Sequence, residues 1–330
     1  MNFNAYKNFI TILLLLFTLI PGVLFSQTQE DTAYQKADSL QDKQQKIEAF
    51  KNFVSSYPDS QRKVNALINL FSIYLDDNET GAALMYANEA AQAVPEPYRM
   101  NIYNDVAYRL ALKKVCIDTA DIYSKRSVDG ARESHSRYLG TFLDTRALVM
   151  FDLGKADSAS GLEKEAISVS REDPSYLSNL AIYQEAAGER IDGLHTAARA
   201  ILLGNTDEAL TNFNNWIVKE KSDIKGQDKL RNDIAESSLK TFFKEQNKED
   251  KYRANSEAAV FLSFLNVNSK QANKWIKESK KSLNSNSTIN DRILFTKNYG
   301  IILFAEGKYN EALKELNSIK DITDFWDFSF

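Results

Sequence analysis

Apolar residues recur along most of the chain at the three-to-four-residue spacing of one helix face, which predicts a long series of helices. The pattern is clearest near residue 300, where it predicts one helix over Asn298–Glu306 and another over Tyr309–Ile319. Gly307 separates these two helices, and Gly300 lies inside the first. A glycine inside a helix costs about 1 kcal/mol relative to alanine, so Gly300 requires a structural reason.

The same pair of helices recurs upstream, each time with a small residue at a matching place in the second helix. Successive copies of this residue are 37, 39, 34, 79 and 40 residues apart, and the longest interval is close to two units. That interval contains two further predicted helical stretches, 207–221 and 227–246. First helices carry small residues as well, and we predict that both sets let paired helices approach closely. These residues are Ala83, Ala120, Ala159, Gly193, Ala272 and Ala312 in second helices, and Ala147, Ala181 and Gly300 in first helices.

Four residues are predicted to form the turns inside the pairs. Asn78, Gly154, Gly188 and Gly307 each follow a first helix, where a residue in the left-handed conformation commonly ends a helix. We interpret them as structural turns. Gly300 and Gly307 do not connect a strand to a helix, so they lack the context of a phosphate-binding loop.

In this pattern the chain resembles the tetratricopeptide repeat (TPR) family over about Gln45 to Lys320. The best copies are 67–95, 176–205 and 298–319. The family's tryptophan near the start of the first helix is missing, and several units exceed the usual length of about 34 residues. The resemblance implies an all-α fold, an α-solenoid of stacked antiparallel helical hairpins that forms a right-handed superhelix with a concave groove.

The resemblance also implies which residues line the groove, because first helices form most of the inner wall in this family. The repeat alignment gives a mixed apolar and polar lining that suits an extended peptide or a partner helix. Packing against a neighbouring repeat is the alternative role for each residue. Lys297 matches a lysine of the carboxylate clamp in chaperone-binding members, but Ile301 replaces the asparagine one turn later, so we expect no such clamp. The candidate lining comprises Ser72, Leu75, Asn104, Tyr108, Asp144, Leu148, Phe151, Ser178, Ile182, Glu185, Lys297, Ile301 and Phe304.

Composition narrows the choice of partners. The chain has 43% hydrophobic and 26% charged residues, which is typical of soluble proteins. Its net charge is -4, acids and bases are mixed throughout, and no basic stripe stands out, so we expect no nucleic-acid partner. Cys116 is the only cysteine, and its apolar neighbours predict a small buried hydrophobic residue.

Residues 1–26 have the organisation of a secretory signal peptide. Lys7 precedes an apolar run over Phe9–Ile20, and Ser26 supplies the small residue before the predicted cleavage. An uncleaved anchor is the alternative, although the 17 residues of Phe9–Phe25 are fewer than the roughly 20 that span a bilayer. Cleavage predicts an exported protein, periplasmic or extracellular, without a stable membrane span. The end of the segment resembles signal peptides of Bacteroidota envelope proteins.

The motifs predict no catalytic residues, no metal site and no cofactor, and therefore no enzyme. The segment Asp76–Gly81 begins like a calcium-binding loop, but the twelfth position is Ala87 instead of the glutamate that such loops require. His135 and His195 are the only histidines and lie 60 residues apart. His195 follows Asp192 by three residues, a pairing that we interpret as a surface contact on a helix instead of part of a catalytic site.

These patterns lead to one main hypothesis and two alternatives. The main hypothesis is a non-catalytic protein–protein interaction scaffold of the cell envelope, whose repeat domain (45–320) follows a polar segment (27–44). One alternative is the front part of a larger secreted thioredoxin-like reductase whose catalytic module is absent from this chain. It arises because the aromatic tail, residues 321–330, is no polar cap. The other alternative is that this tail folds back or inserts into a partner protein.

Overall fold

The structure is a computed structural model that describes residues 29–170, 172–204, 207–246, 251–283 and 287–323. The predicted signal segment and residues 324–330 of the aromatic tail lie outside the described residues. Every regular element within the described ranges is helical. The chain divides into two compact units, residues 1–153 and 154–330.

The first unit contains helices of similar length joined by short loops. Its core begins earlier than the predicted repeats, because Ala37 of the polar segment packs with Phe50 and Phe53. Ala33 and Tyr34 lie on the same helical face as Ala37, which explains why this polar stretch forms a helix with one apolar side. The helices are α1 (29–39), α2 (Lys43–Ser56), α3 (Lys63–Asp76), α4 (Thr80–Gln92), α5 (Arg99–Lys113), α6 (Ile117–Glu133) and α7 (Leu139–Asp152), with a short 3-10 helix at Glu96–Tyr98.

Helices of the first unit pack in sequential pairs. Helix α3 packs against α4, and α5 packs against α6, while α7 contacts both α5 and α6. The link between α5 and α6 contains two left-handed residues, Lys114 with φ 54° and Cys116 with φ 49°. Cys116 is only partly buried, so the prediction of a buried hydrophobic residue is wrong. Its position before the first turn of α6 leaves it outside the helix interface.

The second unit continues the paired arrangement. Helix α9 packs against α10, α13 against α14 and α15 against α16, and further contacts join α8 to α9, α10 to α11 and α13 to α15. The helices are α8 (Ala156–Val169), α9 (Pro174–Ala186), α10 (Arg190–Leu203), α11 (Asp207–Glu220), α12 (Ile224–Glu245), α13 (Lys251–Phe264), α14 (Ser269–Ser282), α15 (Ile289–Ala305) and α16 (Tyr309–Thr323). The predicted fold class, an all-α solenoid of stacked antiparallel helical hairpins, is confirmed by this pairing within each unit.

Helix α15 is longer than predicted, because it begins at Ile289 instead of Asn298. Thr288 and Asp291 form a capping box in which each side chain accepts a hydrogen bond from the other residue's backbone N–H. Asp291 also accepts hydrogen bonds from Tyr252 and Arg253 of α13. Because of these contacts with α13, α15 begins more than two helical turns before the start that the repeat pattern predicts.

The four predicted turn residues all have backbone angles in the left-handed region. The φ angles are 61° at Asn78, 73° at Gly154, 87° at Gly188 and 76° at Gly307. In the pair α9/α10 the turn also satisfies helix-end carbonyls, because Gly188 N–H donates to Glu185 O and Glu189 N–H donates to Gln184 O.

Candidate functional site

The predicted groove wall is best defined on α5 and α7, two first helices that pack side by side in the first unit. Tyr108 of α5 is 41% exposed. Asn104 on α5, and Asp144, Leu148 and Phe151 on α7, are partly buried. The two helices therefore present a wall of mixed aromatic, aliphatic and polar side chains.

A charged cluster joins this wall to α3. The Arg109 guanidinium donates to the Asp105 carboxylate over 3.0 Å and to Ser72 Oγ over 3.1 Å. Ser72 Oγ in turn donates to the backbone carbonyl of Ile68 over 2.8 Å. Ser72 is thus held by neighbouring groups on both sides, and it fixes α5 relative to α3.

Among the described residues of the first unit, two buried acceptor atoms lack a donor. Asn104 Oδ1 and Asp152 Oδ2 are buried, and neither accepts a hydrogen bond from any described residue. Burial raises the pKa of the Asp152 carboxyl, and the Lys114 ammonium partly opposes that shift. Buried acceptors without donors are uncommon in proteins, because each loses its hydration without a replacement. Asn104 Oδ1 belongs to the α5 wall itself.

Two of the predicted lining residues lie in the interior instead. Leu75 is 3% exposed and Ser178 is 2% exposed, so neither lines a groove. Leu75 continues the buried face formed by Leu67 and Phe71 of α3, at helical spacing. The repeat alignment could not separate these two roles, because α3 and α9 are buried on more than one side.

The remaining lining candidates belong to the second unit. Ile182 and Glu185 on α9 are partly buried, and Glu185 accepts from Arg190 Nε over 3.4 Å and from Lys219 Nζ over 3.3 Å. On α15, Lys297 and Phe304 are exposed and Ile301 is partly buried. The Phe304 ring packs edge-on against Tyr309, with 5.2 Å between ring centroids.

All nine small residues of the predicted helix contacts are buried. At Gly193 of α10 an added Cβ would lie 3.0 Å from the backbone oxygen of Ala181 on α9. At Gly300 of α15 it would lie 2.7 Å from Cγ and Cδ2 of Leu316 on α16. Each glycine therefore leaves room for the partner helix of its own pair. Gly193 leaves room for the backbone of α9, and Gly300 leaves room for the Leu316 side chain of α16.

A basic surface on α14 is a feature that the sequence analysis missed. Lys270, Lys274, Lys277 and Lys281 are all exposed and share one face of this helix; we call them the α14 lysine face. They line an open depression of about 660 Å³ together with Ser269, Asn273, Glu278 and Lys308. The expectation that no basic stripe exists is wrong for this helix. The spacing of its lysines by four, three and four residues was the available signal.

The described residues contain neither a cluster of metal ligands nor a helix suited to span a membrane. No group of three or more His, Cys, Asp or Glu side chains in that part of the chain could hold a metal ion. In the same part of the chain, no helix has the length and apolar character needed to cross a membrane.

The chain is similar to two solved helical proteins at low sequence identity. No protein-family model and no curated protein matches the sequence. The crystal structure of the apo form of RapI has a TM-score of 0.40 and 15% identity, covering 89% of this chain and 94% of that chain. The crystal structure of the P58(IPK) TPR domain has a TM-score of 0.25 and 12% identity, covering 91% of this chain and 94% of that chain. The all-α fold of paired helices therefore rests on the contacts within this chain.

Proposed function

We propose that the chain is a non-catalytic scaffold that binds a protein partner, an extended peptide or a helix, along the first-helix wall of α5 and α7. We further propose that it works in the cell envelope after export, on the basis of the signal-like segment at residues 1–26. The partner's role is to supply donors and apolar side chains to a preformed surface.

One observation carries the proposal. An exposed aromatic ring, Tyr108, lies one helical turn from Asn104, whose Oδ1 atom has no donor among the described residues. Tyrosine is enriched among interface residues that dominate binding energy, because it buries a large ring at a small entropy cost. The amide oxygen can accept a backbone N–H of a bound peptide after a small rotation of the side chain.

The test compares the wall with an exposed apolar residue on α6, the second helix of the same pair. Residues 27–330, in wild-type form and with Asn104→Ala plus Tyr108→Ala, are used to capture partners from an envelope extract. A control carries Ile122→Ala on α6, where the side chain is 53% exposed. Captured proteins are quantified by mass spectrometry.

We expect the wall variant to capture at least about tenfold less of a specific partner than wild type, because an aromatic hot spot is removed. The α6 control should capture the same amount as wild type. Equal capture by the wall variant and the wild type contradicts the proposed surface. Unchanged circular dichroism of both variants establishes that the loss is not caused by unfolding.

A further inference from the structure

The α14 lysine face has a regular geometry. Successive residues of an α-helix are rotated by about 100°, so positions 270, 274, 277 and 281 fall within an arc of about 60°. The rise per residue gives the row a length of about 16 Å, or three helical turns. The four lysines therefore follow one face of the helix along its axis.

The opposite side of α14 holds the row in place. Ala272, Ile276 and Ser279 are buried at helical spacing, and they fix the rotation of the helix within the second unit. Asn268 caps its start by accepting from the Gln271 backbone N–H. Ser279 Oγ also donates to the backbone oxygen of Tyr252 on α13 over 2.7 Å. The lysines consequently face solvent in a fixed direction.

The lysine row has no close ion pair within the described residues, where the Lys277 ammonium attracts the Glu306 carboxylate only at longer range. None of the four ammonium groups lies within 4.0 Å of a carboxylate there. Lys270 with Lys274, and Lys277 with Lys281, are like charges at i and i+4, a spacing that destabilises a helix. Glu278 is the one acidic residue among the described residues that line the depression; it lies four residues after Lys274 and three before Lys281, so this single carboxylate offsets only part of the repulsion. An external anion would relieve this repulsion.

A second element brings a fifth cation to the same depression. Lys308, in the turn between α15 and α16, donates to Glu306 over 2.8 Å. Glu306 also accepts a hydrogen bond from Asn273 of α14, so this carboxylate is already engaged and joins the turn to the helix. The concave surface thus has cations on both of the elements that form it.

We infer that the α14 lysine face binds an acidic helical segment of a partner protein, with carboxylates spaced to match the row. An acidic helix with residues at i, i+4, i+7 and i+11 has the same length and the same angular width as the row. This surface lies on a second helix of the second unit, so it is separate from the α5 and α7 wall and does not rest on it.

The chemistry of the lining favours this partner over other polyanions. The described residues around the depression are serine, asparagine, glutamate and lysine. No aromatic side chain among them offers a platform for stacking nucleic-acid bases. No apolar side chain among them can enter the acyl region of a membrane, as interfacial helices do.

The test uses fluorescence anisotropy with the mature chain, residues 27–330. The probe is a labelled alanine-rich helical peptide of about 18 residues with glutamates at i, i+4, i+7 and i+11. A second peptide has the same composition in scrambled order. The test variant carries Lys270→Gln, Lys274→Gln, Lys277→Gln and Lys281→Gln. The matched control carries Lys225→Gln, Lys229→Gln, Lys240→Gln and Lys244→Gln, which removes four exposed lysines from α12.

We expect the α14 variant to bind the patterned peptide at least about tenfold more weakly than wild type, and the α12 control to change less than about twofold. Binding should also weaken as salt rises, because the charges are exposed. The proposal is overturned if the patterned peptide does not bind, if the two variants lose equal affinity, or if the scrambled peptide binds as well. Stronger binding of single-stranded DNA or of anionic phospholipid vesicles at equal charge would also overturn it.

Discussion

Two hairpins of the second unit share one residue pattern, yet their second helices differ in burial. Gly188, Gly193 and Leu194 of α9/α10 correspond to Gly307, Ala312 and Leu313 of α15/α16, each 119 residues later. Leu194 is fully buried, whereas Leu313 is 60% exposed.

The neighbours of each pair explain this difference. Helices α9 and α10 contact α8 and α11 in addition to each other. Within the described residues, the main contact of α16 is α15 alone, while α15 also contacts α13 and α14. In repeat proteins each unit buries its apolar face against the next one. The repeat position therefore determines which residue faces outward from a pair, and the neighbouring element determines whether that residue is buried.

The same alignment gives the reason for Gly300. Its counterpart in α9 is Ala181, and the counterpart of Leu316 in α10 is Ala197. In α9/α10 both positions hold small buried residues, whereas in α15/α16 the larger side chain of Leu316 approaches a glycine. Close packing is thus achieved by two alanines in α9/α10, and by a glycine facing a leucine in α15/α16.

The largest expected effect is a difference in the free energy of unfolding between the alanine variants of Leu194 and Leu313. Leu194→Ala should lower the free energy of unfolding by about 2–5 kcal/mol, because it leaves a cavity in the core. Leu313→Ala should change it by less than about 0.5 kcal/mol, because the side chain is mostly exposed. Urea unfolding followed by circular dichroism measures both. Similar losses for the two variants would show that α16 is covered in solution.

A smaller effect concerns the pairing of Gly300 with Leu316. Replacing Leu316 by alanine removes the atoms that a Cβ at position 300 would contact. In that background Gly300→Ala should stabilise the protein by about 1 kcal/mol, through helix propensity. In the wild-type background the contact with Leu316 should cancel this gain or reverse it.

A double-mutant cycle of unfolding free energies measures this coupling. We expect an interaction energy of about 1 kcal/mol between the two positions. Additivity within about 0.3 kcal/mol would show that Leu316 moves away without cost. Leu316 is 37% exposed, so its side chain has room to shift. The expected interaction energy is therefore at the lower end of the roughly 1–3 kcal/mol that overpacking costs.

The repeat spacing predicted the pairs α3/α4, α5/α6, α9/α10, α13/α14 and α15/α16, whose helices pack against each other, and the four turn residues that have a left-handed φ. Gly188 and Gly307 mark their turns because few other residues adopt a left-handed conformation without strain. The start of α15 was not predictable from the repeat, because it depends on contacts of Asp291 with α13, which is distant in sequence.

The candidate sites were predicted less well for a different physical reason. Leu75 and Ser178 were assigned to the groove by their place in a first helix, but burial depends on which neighbours cover that side. The α14 lysine face was missed because charge was considered along the chain. On a helix, charges three and four residues apart become neighbours.

The smallest expected effect concerns how the last pair is anchored. Hydrogen bonds from Tyr252 and from the Thr288 side chain and backbone hold the pKa of the Asp291 carboxyl well below its usual value. A depressed folded-state pKa contributes stability above the unfolded value of about 3.9, and this contribution is lost as pH falls below it. Asp291→Asn should therefore lower the thermal unfolding midpoint at pH 7. The difference in midpoint between this variant and wild type should become smaller as the pH is lowered to 2. A constant difference between pH 7 and pH 2 would contradict this assignment.

The poor burial of α16 has a consequence for the order in which the fold opens. Ala312 is the one buried residue among the described side chains of this helix. An isolated helix of 15 residues is marginal in water, so α16 is held mainly by its contacts with α15. Detaching it exposes little apolar surface and needs less free energy than global unfolding. Its backbone amides should consequently exchange with solvent before those of α9 and α10.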